Sequence, residues 1–165
     1  MSDAELEDDF PQSPARRAVV AVVRGYGALN RQMSPYYSQF GLTPPQFQML
    51  TVLNRLQGQD VTQRRLAHEL YVSFPNITVM LSRLEEAGYI DRTTSEADRR
   101  AKIVTISRRG KNLLRRIWKQ QPGQLARVTA GLNDDECDQL ARLLGKFIAG
   151  QNRTQSPDRR PDDLP

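Results

Sequence analysis

The chain has 165 residues, of which 38% are hydrophobic and 26% charged, with a formal net charge of +5. That length suits one domain, or one small domain with an attached arm, and is enough to bury a core. It carries no apolar run near the roughly 18 residues a membrane helix requires, and a single cysteine, Cys137, excludes an internal disulfide framework and fits a reducing cytoplasm. The opening MSDAELEDDF is acidic and lacks an apolar signal core, which argues against secretion. Charge is unevenly spread. Residues 1–14 hold five acidic residues and no basic one, whereas residues 61–120 hold 13 Lys or Arg against six Asp or Glu, a local net of +7. A local basic surplus is the usual footprint of a phosphate-backbone partner.

In chain order, residues 1–14 read as a disordered acidic tail, too poor in apolar side chains to offset the entropy of ordering. Residues 15–39 place Val19, Val22, Val23, Tyr26, Leu29 and Met33 at helical spacing. In GLTPPQF, Thr43 is an N-cap, Pro44 the first helical residue, and Gln46 completes a capping box. The helix that follows carries Phe47, Leu50, Leu53 and Leu56 and ends near Gly58. After an extended Asp60-Val61, Thr62 caps QRRLAHEL, and Tyr71-Val72 forms a turn. Ser73 is expected to cap the next helix, with Ile77, Leu81 and Leu84 on one face and Gly88 closing its end. The period then changes. YIDRT (89–93) and KIVTI (102–106) form a hairpin with the charged tip TSEADRRA. Ser107 caps a long helix with Leu113, Leu114, Ile117 and Trp118, which Pro122-Gly123 should kink or interrupt. Asn133 and Glu136 form another capping box, with Leu132 placed to staple onto Cys137. The last helix runs through Leu140, Leu143, Leu144, Phe147 and Ile148. Residues 152–165 read as a second disordered tail.

Two helices joined by a tight turn and followed by a charged hairpin make a winged helix-turn-helix. The expected fold class is therefore mainly α with a small β-hairpin wing. Such a motif sets its second helix in the major groove, with N-terminal residues reaching base edges. Here that helix is 73–87. If Ile77, Leu81 and Leu84 face the core, Phe74, Asn76, Thr78, Val79, Ser82 and Arg83 face outward. Asn76 offers a donor–acceptor pair suited to adenine, and Thr78 and Val79 can meet a thymine methyl. Ser73 and the helix start offer N–H groups to a phosphate, Pro75 removing one donor. Arg83 suits a phosphate or a salt bridge to Glu86 or Glu69. Thr62, Gln63 and Arg64 at the start of the preceding helix complete the expected DNA contacts. At the hairpin tip, Arg99 and Arg100 suit a narrow minor groove, and Asp98 can hold one arginine by a bidentate pair.

The order Leu66-Ala67-x-x-Leu70, Val72-Ser73, Ile77-Thr78, RLEEAGYI at 83–90, Asp91-Arg92 and DRRAKIVTIS-x-x-G at 98–110 resembles the multiple antibiotic resistance regulator (MarR) family of winged-helix transcription factors. The likeness covers roughly residues 15–150. It implies a homodimer whose N-terminal helix and last two helices intertwine, with two winged domains reading a pseudo-palindromic operator. It also implies recognition-helix roles for Thr78 and Arg83, and a wing in which Asp98 orients Arg100 for the minor groove. Val79 stands where many members have arginine, and Phe74 and Pro75 make an unusual helix start. The domain expectation is therefore a helical dimerisation region from 15–42 and 107–151 around a winged helix-turn-helix domain at 43–106. The first segment and last two helices also carry more apolar face than one small winged domain covers.

The family likeness further implies a crevice for a small aromatic or phenolic effector, here among Tyr36, Tyr37, Phe40 and Phe47, with Met33 and Met49 alongside. His68, the sole histidine, reads as a surface residue, and Cys137 as structural. With no paired carboxylates, nucleophile–base set, phosphate loop or metal cluster, neither an enzyme nor a cofactor is expected. The expectation is a cytoplasmic, sequence-specific double-stranded DNA-binding regulator, a repressor released by a small ligand. The alternative is a winged-helix module for protein–protein contact.

Overall fold

The computed structural model describes residues 13–94 and 102–154, with the side chains of 152–154 excepted. Both expected tails lie almost wholly outside the described residues. The elements are α1 (Pro14–Ser38), α2 (Pro44–Arg55), α3 (Gln63–Leu70), α4 (Phe74–Glu86), β1 (Ile90–Thr94), β2 (Lys102–Ile106), α5 (Arg108–Val128) and α6 (Asp134–Thr154). The chain divides into two compact units, residues 1–124 and 125–165.

Local chemistry sets most boundaries in the first unit. Ser13 caps α1, its hydroxyl accepting from the Arg16 amide at 3.2 Å, with Pro14 opening the helix. The Thr43–Gln46 box closes both ways: the Thr43 amide donates to Gln46 Oε1 at 2.9 Å and the Gln46 amide to Thr43 Oγ1 at 3.4 Å. Thr62 caps α3 through the Arg65 amide at 3.2 Å. Helix α3 stops at Tyr71, which adopts the left-handed region with φ 53°. That conformation disfavours a side chain with a Cβ, and its sequence signal would normally be glycine.

The core is built from Met49, Leu50 and Leu53 of α2, Leu66 of α3, Ile77, Leu81 and Leu84 of α4, Ile90 and Val104 of the hairpin, and Leu114 and Ile117 of α5. The hairpin is antiparallel, pairing Ile90 with Ile106, Arg92 with Val104 and Thr94 with Lys102. On its β2 side, the Val104 amide donates to Val61 O at 2.8 Å and Thr62 bridges Ile103. The extended Asp60-Val61 segment thus acts as a minimal third strand, leaving β1 at the edge.

Ser107 begins α5, accepting from the Gly110 amide at 3.0 Å while its hydroxyl donates to Gly88 O at 2.7 Å. Gly110 is required by a close approach: a Cβ there would lie 2.3 Å from the Tyr89 carbonyl oxygen. Of the two expected outcomes at Pro122-Gly123, interruption does not occur: α5 continues to Val128 with Pro122 inside it. Proline removes one backbone donor and one i→i−4 bond, and the rest of the ladder persists across it.

In the second unit, Asn133 and Glu136 form the expected reciprocal box, with both bonds at 2.9 Å. No residue of α6 from Asp134 to Gln151 is buried. Leu140, Leu143, Phe147 and Ile148 are exposed.

Candidate nucleic-acid interface

Helix α4 is oriented by three anchors. Ile77, Leu81 and Leu84 are all buried, which turns the opposite face to solvent. Phe74 is 53% exposed and Val79 54%, and Asn76, Thr78 and Arg83 are exposed as well. Two large apolar side chains standing open on the first two turns are costly in water and suit contact with thymine methyls. The Thr78 hydroxyl donates back to Phe74 O at 3.2 Å, so its methyl is the part left to meet a base.

The helix start differs from expectation. Ser73 occupies the N-cap with extended backbone, φ −65° and ψ 149°, but makes no side-chain cap bond. Pro75, in the first turn, supplies no donor. The remaining first-turn N–H groups are thus without a side-chain acceptor, the arrangement that favours a phosphate at a helix N-terminus.

The other sequence-expected positions divide. Arg64 is exposed, Gln63 is half-buried, and Thr62 is engaged through its hydroxyl in capping and through its backbone with Ile103. Asp98, Arg99 and Arg100 lie outside the described residues. Of the two carboxylates expected for Arg83, Glu69 is held by Arg55 instead, and the neighbouring Glu85, not expected in any pair, is held by Arg92. Arg92 was not singled out as functional in the sequence. The available signal was strand alternation, which puts Arg92 on the same face as buried Ile90. Its Nε donates to Glu85 Oε2 at 2.7 Å, and its Nη2 reaches the same oxygen. The Arg92 hydrogen bond holds the Glu85 carboxyl below the usual glutamate range, against a smaller opposing effect of burial.

The aromatic cluster is a packed junction of α1, α2 and α5. Tyr36 meets Tyr37 edge-on at 5.2 Å and Phe40 at 5.5 Å, and Tyr37 stacks on Phe47 at 4.4 Å. The Tyr36 hydroxyl donates to Ile117 O at 2.7 Å, and Gln121 Nε2 donates to the Tyr37 hydroxyl at 3.4 Å. Burial, with Tyr36 beside it, pushes Tyr37 up to about 12 despite the Gln121 hydrogen bond. Met33 and Met49 are buried. An open cleft of about 290 Å³ is lined by Phe47, Gln48, Thr51, Val52, Glu69, Leu70 and Tyr71, and the sequence did not point to it. His68 is exposed, its ring 6.5 Å from that of Tyr71, and Cys137 is half-exposed. Among the described residues, no group of three or more His, Cys, Asp or Glu is set to hold a metal ion.

Comparison with known proteins bears on this geometry. A family model described as MarR family matches residues 40–101, which span α2 to the hairpin. The HTH-type transcriptional regulator MgrA of Staphylococcus aureus is 28% identical over 130 residues, covering 76% of this chain and 86% of its own. The HTH-type transcriptional regulator PapX of Escherichia coli is 26% identical over 121 residues, covering 73% and 74%. In fold, the chain is similar to AbsC, a MarR family transcriptional regulator from Streptomyces coelicolor (TM-score 0.73, 21% identity, 88% and 98% covered). It is also similar to an E. coli MarR variant solved with operator DNA (TM-score 0.71, 21% identity, 83% and 99% covered). These fold matches make the architecture a winged helix-turn-helix.

Proposed function

We propose that the chain is a MarR-family transcriptional regulator that binds double-stranded DNA as a homodimer. The observation that carries this reading is α4: three buried anchors and an opposite face of exposed Phe74, Asn76, Thr78, Val79 and Arg83, free of acidic side chains before Glu85. The solved complexes of similar fold with DNA support it. Thr62, Gln63, Arg64 and Ser73 with Pro75 flank that face, and the wing contributes Arg99 and Arg100 with Asp98 as their orienting partner. The homodimer is supported by apolar stripes that a single chain leaves uncovered, Val19, Val23, Tyr26 and Leu29 on α1 and Leu140, Leu143, Phe147 and Ile148 on α6. The proposed division is a dimerisation region from 15–42 and 107–151 around a reading domain at 43–106.

On this reading the protein is a cytoplasmic repressor without catalytic activity, released by a small aromatic or phenolic effector at the ring junction of Tyr36, Tyr37, Phe40 and Phe47. No helix among the described residues is long and apolar enough to cross a membrane.

The test is selection of genomic fragments by the purified protein, followed by titration of the recovered duplex. Affinity should fall steeply with salt, as released counterions require. Arg83→Ala and Arg100→Ala should each weaken binding while leaving the dimer intact. Recovery of no preferred fragment would point to the protein–protein module instead.

A further inference from the structure

Resting on the DNA-binding reading, we propose that the Glu85–Arg92 pair is a clamp that fixes the wing relative to the recognition helix, making Arg92 a positioning residue for DNA recognition. The hairpin is held unequally at its foot. The β2 side is tied by backbone, through the Val104 amide to Val61 O and the Thr62–Ile103 bridge. The β1 side is an edge strand with no such ladder. Its link to α4 is the turn at Gly88 and Tyr89, where the Tyr89 amide donates to Leu84 O at 2.9 Å. Among the described residues β1 has no backbone tie outside the hairpin beyond Tyr89, whose carbonyl accepts from the Ser107 amide, so the edge strand is the side of the hairpin left to pivot.

Arg92 sits where a brace opposes that pivot. Along one face of the hairpin, the pair Ile90–Ile106 is buried and the pair Thr94–Lys102 is exposed. Arg92, opposite Val104, lies between them, at the point where the wing leaves the core. Its guanidinium reaches back to Glu85 through both Nε and Nη2. The Arg92 side chain is 22% exposed and that of Glu85 39%, against 62% and 28% for Arg55 and Glu69, so the guanidinium of this pair is the better shielded of the two. Screening weakens it correspondingly less.

Glu85 also lies on a meaningful side of α4. Thr78, Ser82 and Glu85 follow at i, i+4 and i+7 along one side of the helix. Glu85 is thus about 10 Å of helical rise from the expected reading residue Thr78, within about one Debye length at 0.1 M salt. The pair therefore joins the recognition helix to the wing.

The test uses the full-length protein and two duplexes derived from a fragment it selects: one complete, and one shortened to end before the outer minor-groove segments that the wings would reach. Arg92→Ala and Glu85→Ala should each lose about tenfold in affinity on the complete duplex, the order expected for a charged hydrogen bond. Arg92→Ala should change little on the shortened one. The exchanged pair, Glu85→Arg with Arg92→Glu, should recover most of the loss. Amide hydrogen exchange across Asp91–Thr94 should quicken in Arg92→Ala while Leu81–Leu84 stay protected. Wild-type affinity of Arg92→Ala on the complete duplex, equal losses on both duplexes, or no recovery in the exchanged pair would each overturn the clamp. If the wild type selects no duplex, the DNA reading fails and the exchange measurement decides on the clamp alone: unchanged exchange across Asp91–Thr94 overturns it.

Discussion

Helices α4 and α6 carry equally good amphipathic patterns, yet they end in opposite circumstances. In α4, Ile77, Leu81 and Leu84 disappear into the core. In α6, Leu140, Leu143, Phe147 and Ile148 repeat at similar spacing and stay exposed. A helical apolar stripe specifies that something will cover it, not what. For α4 the cover is supplied by the same chain, through α3 and the hairpin. For α6 and the first two-thirds of α1, a single chain leaves it unsupplied, and an exposed stripe of this kind marks an association surface. The comparison teaches which apolar residues stabilise the domain's own core and which are left for another surface.

The sharpest way to break that distinction is to place charges on the exposed stripe. Leu143→Asp together with Phe147→Asp should convert the dimer to monomer in sedimentation equilibrium, with the winged domain's helical signal retained. A variant that stays dimeric would mean that this stripe is not the interface. Next in size, Leu66→Ala, in a fully buried site, should cost about 2–5 kcal/mol of unfolding free energy in a denaturant titration. This loss should persist in the charged-stripe monomer. Gly110→Ala should cost about 1–3 kcal/mol by overpacking, because its Cβ would press on the Tyr89 carbonyl and on Ile106 Cγ1. An unchanged midpoint would show that the start of α5 can retreat.

The smallest expected effect concerns pH. Tyr37 is raised in the folded state from its ordinary value of 10.0 to about 12. The folded protein thus holds the phenolic proton more tightly than the unfolded chain. Its contribution to stability is fully present below pH 10 and is lost as pH rises through 12. Tyr37→Phe should flatten the denaturant midpoint across that window, and an equally steep profile in the variant would assign the alkaline loss to other groups.

Much of this was legible beforehand where the physics is local. The capping boxes at Thr43–Gln46 and Asn133–Glu136 are four-residue chemistry, and they formed as their spacing indicated. The turn to a hairpin after Gly88, and the anchors of α4, follow from periodicity alone. Ser73 shows the limit of that logic: a good cap residue, it makes no cap bond, and proline two positions later removes one of the amides nearby. Pro122 shows it again, since one lost hydrogen bond did not stop α5.

The sequence by itself determined the element order, the caps and which face of each helix is apolar, because these depend on residues within a few positions of one another. Only the tertiary structure decided the partners. It paired Arg92 with Glu85 and Arg55 with Glu69 rather than assigning Arg83 a carboxylate, and it turned Tyr36 and Tyr37 into a hydrogen-bonded junction with α5. Charges and rings choose partners by distance in space, and for Tyr36 and Ile117 that choice spans 81 positions of sequence. Winged helix-turn-helix was therefore written in periods and caps, while the pairing of Arg92 with Glu85 became visible only once the hairpin was folded against α4.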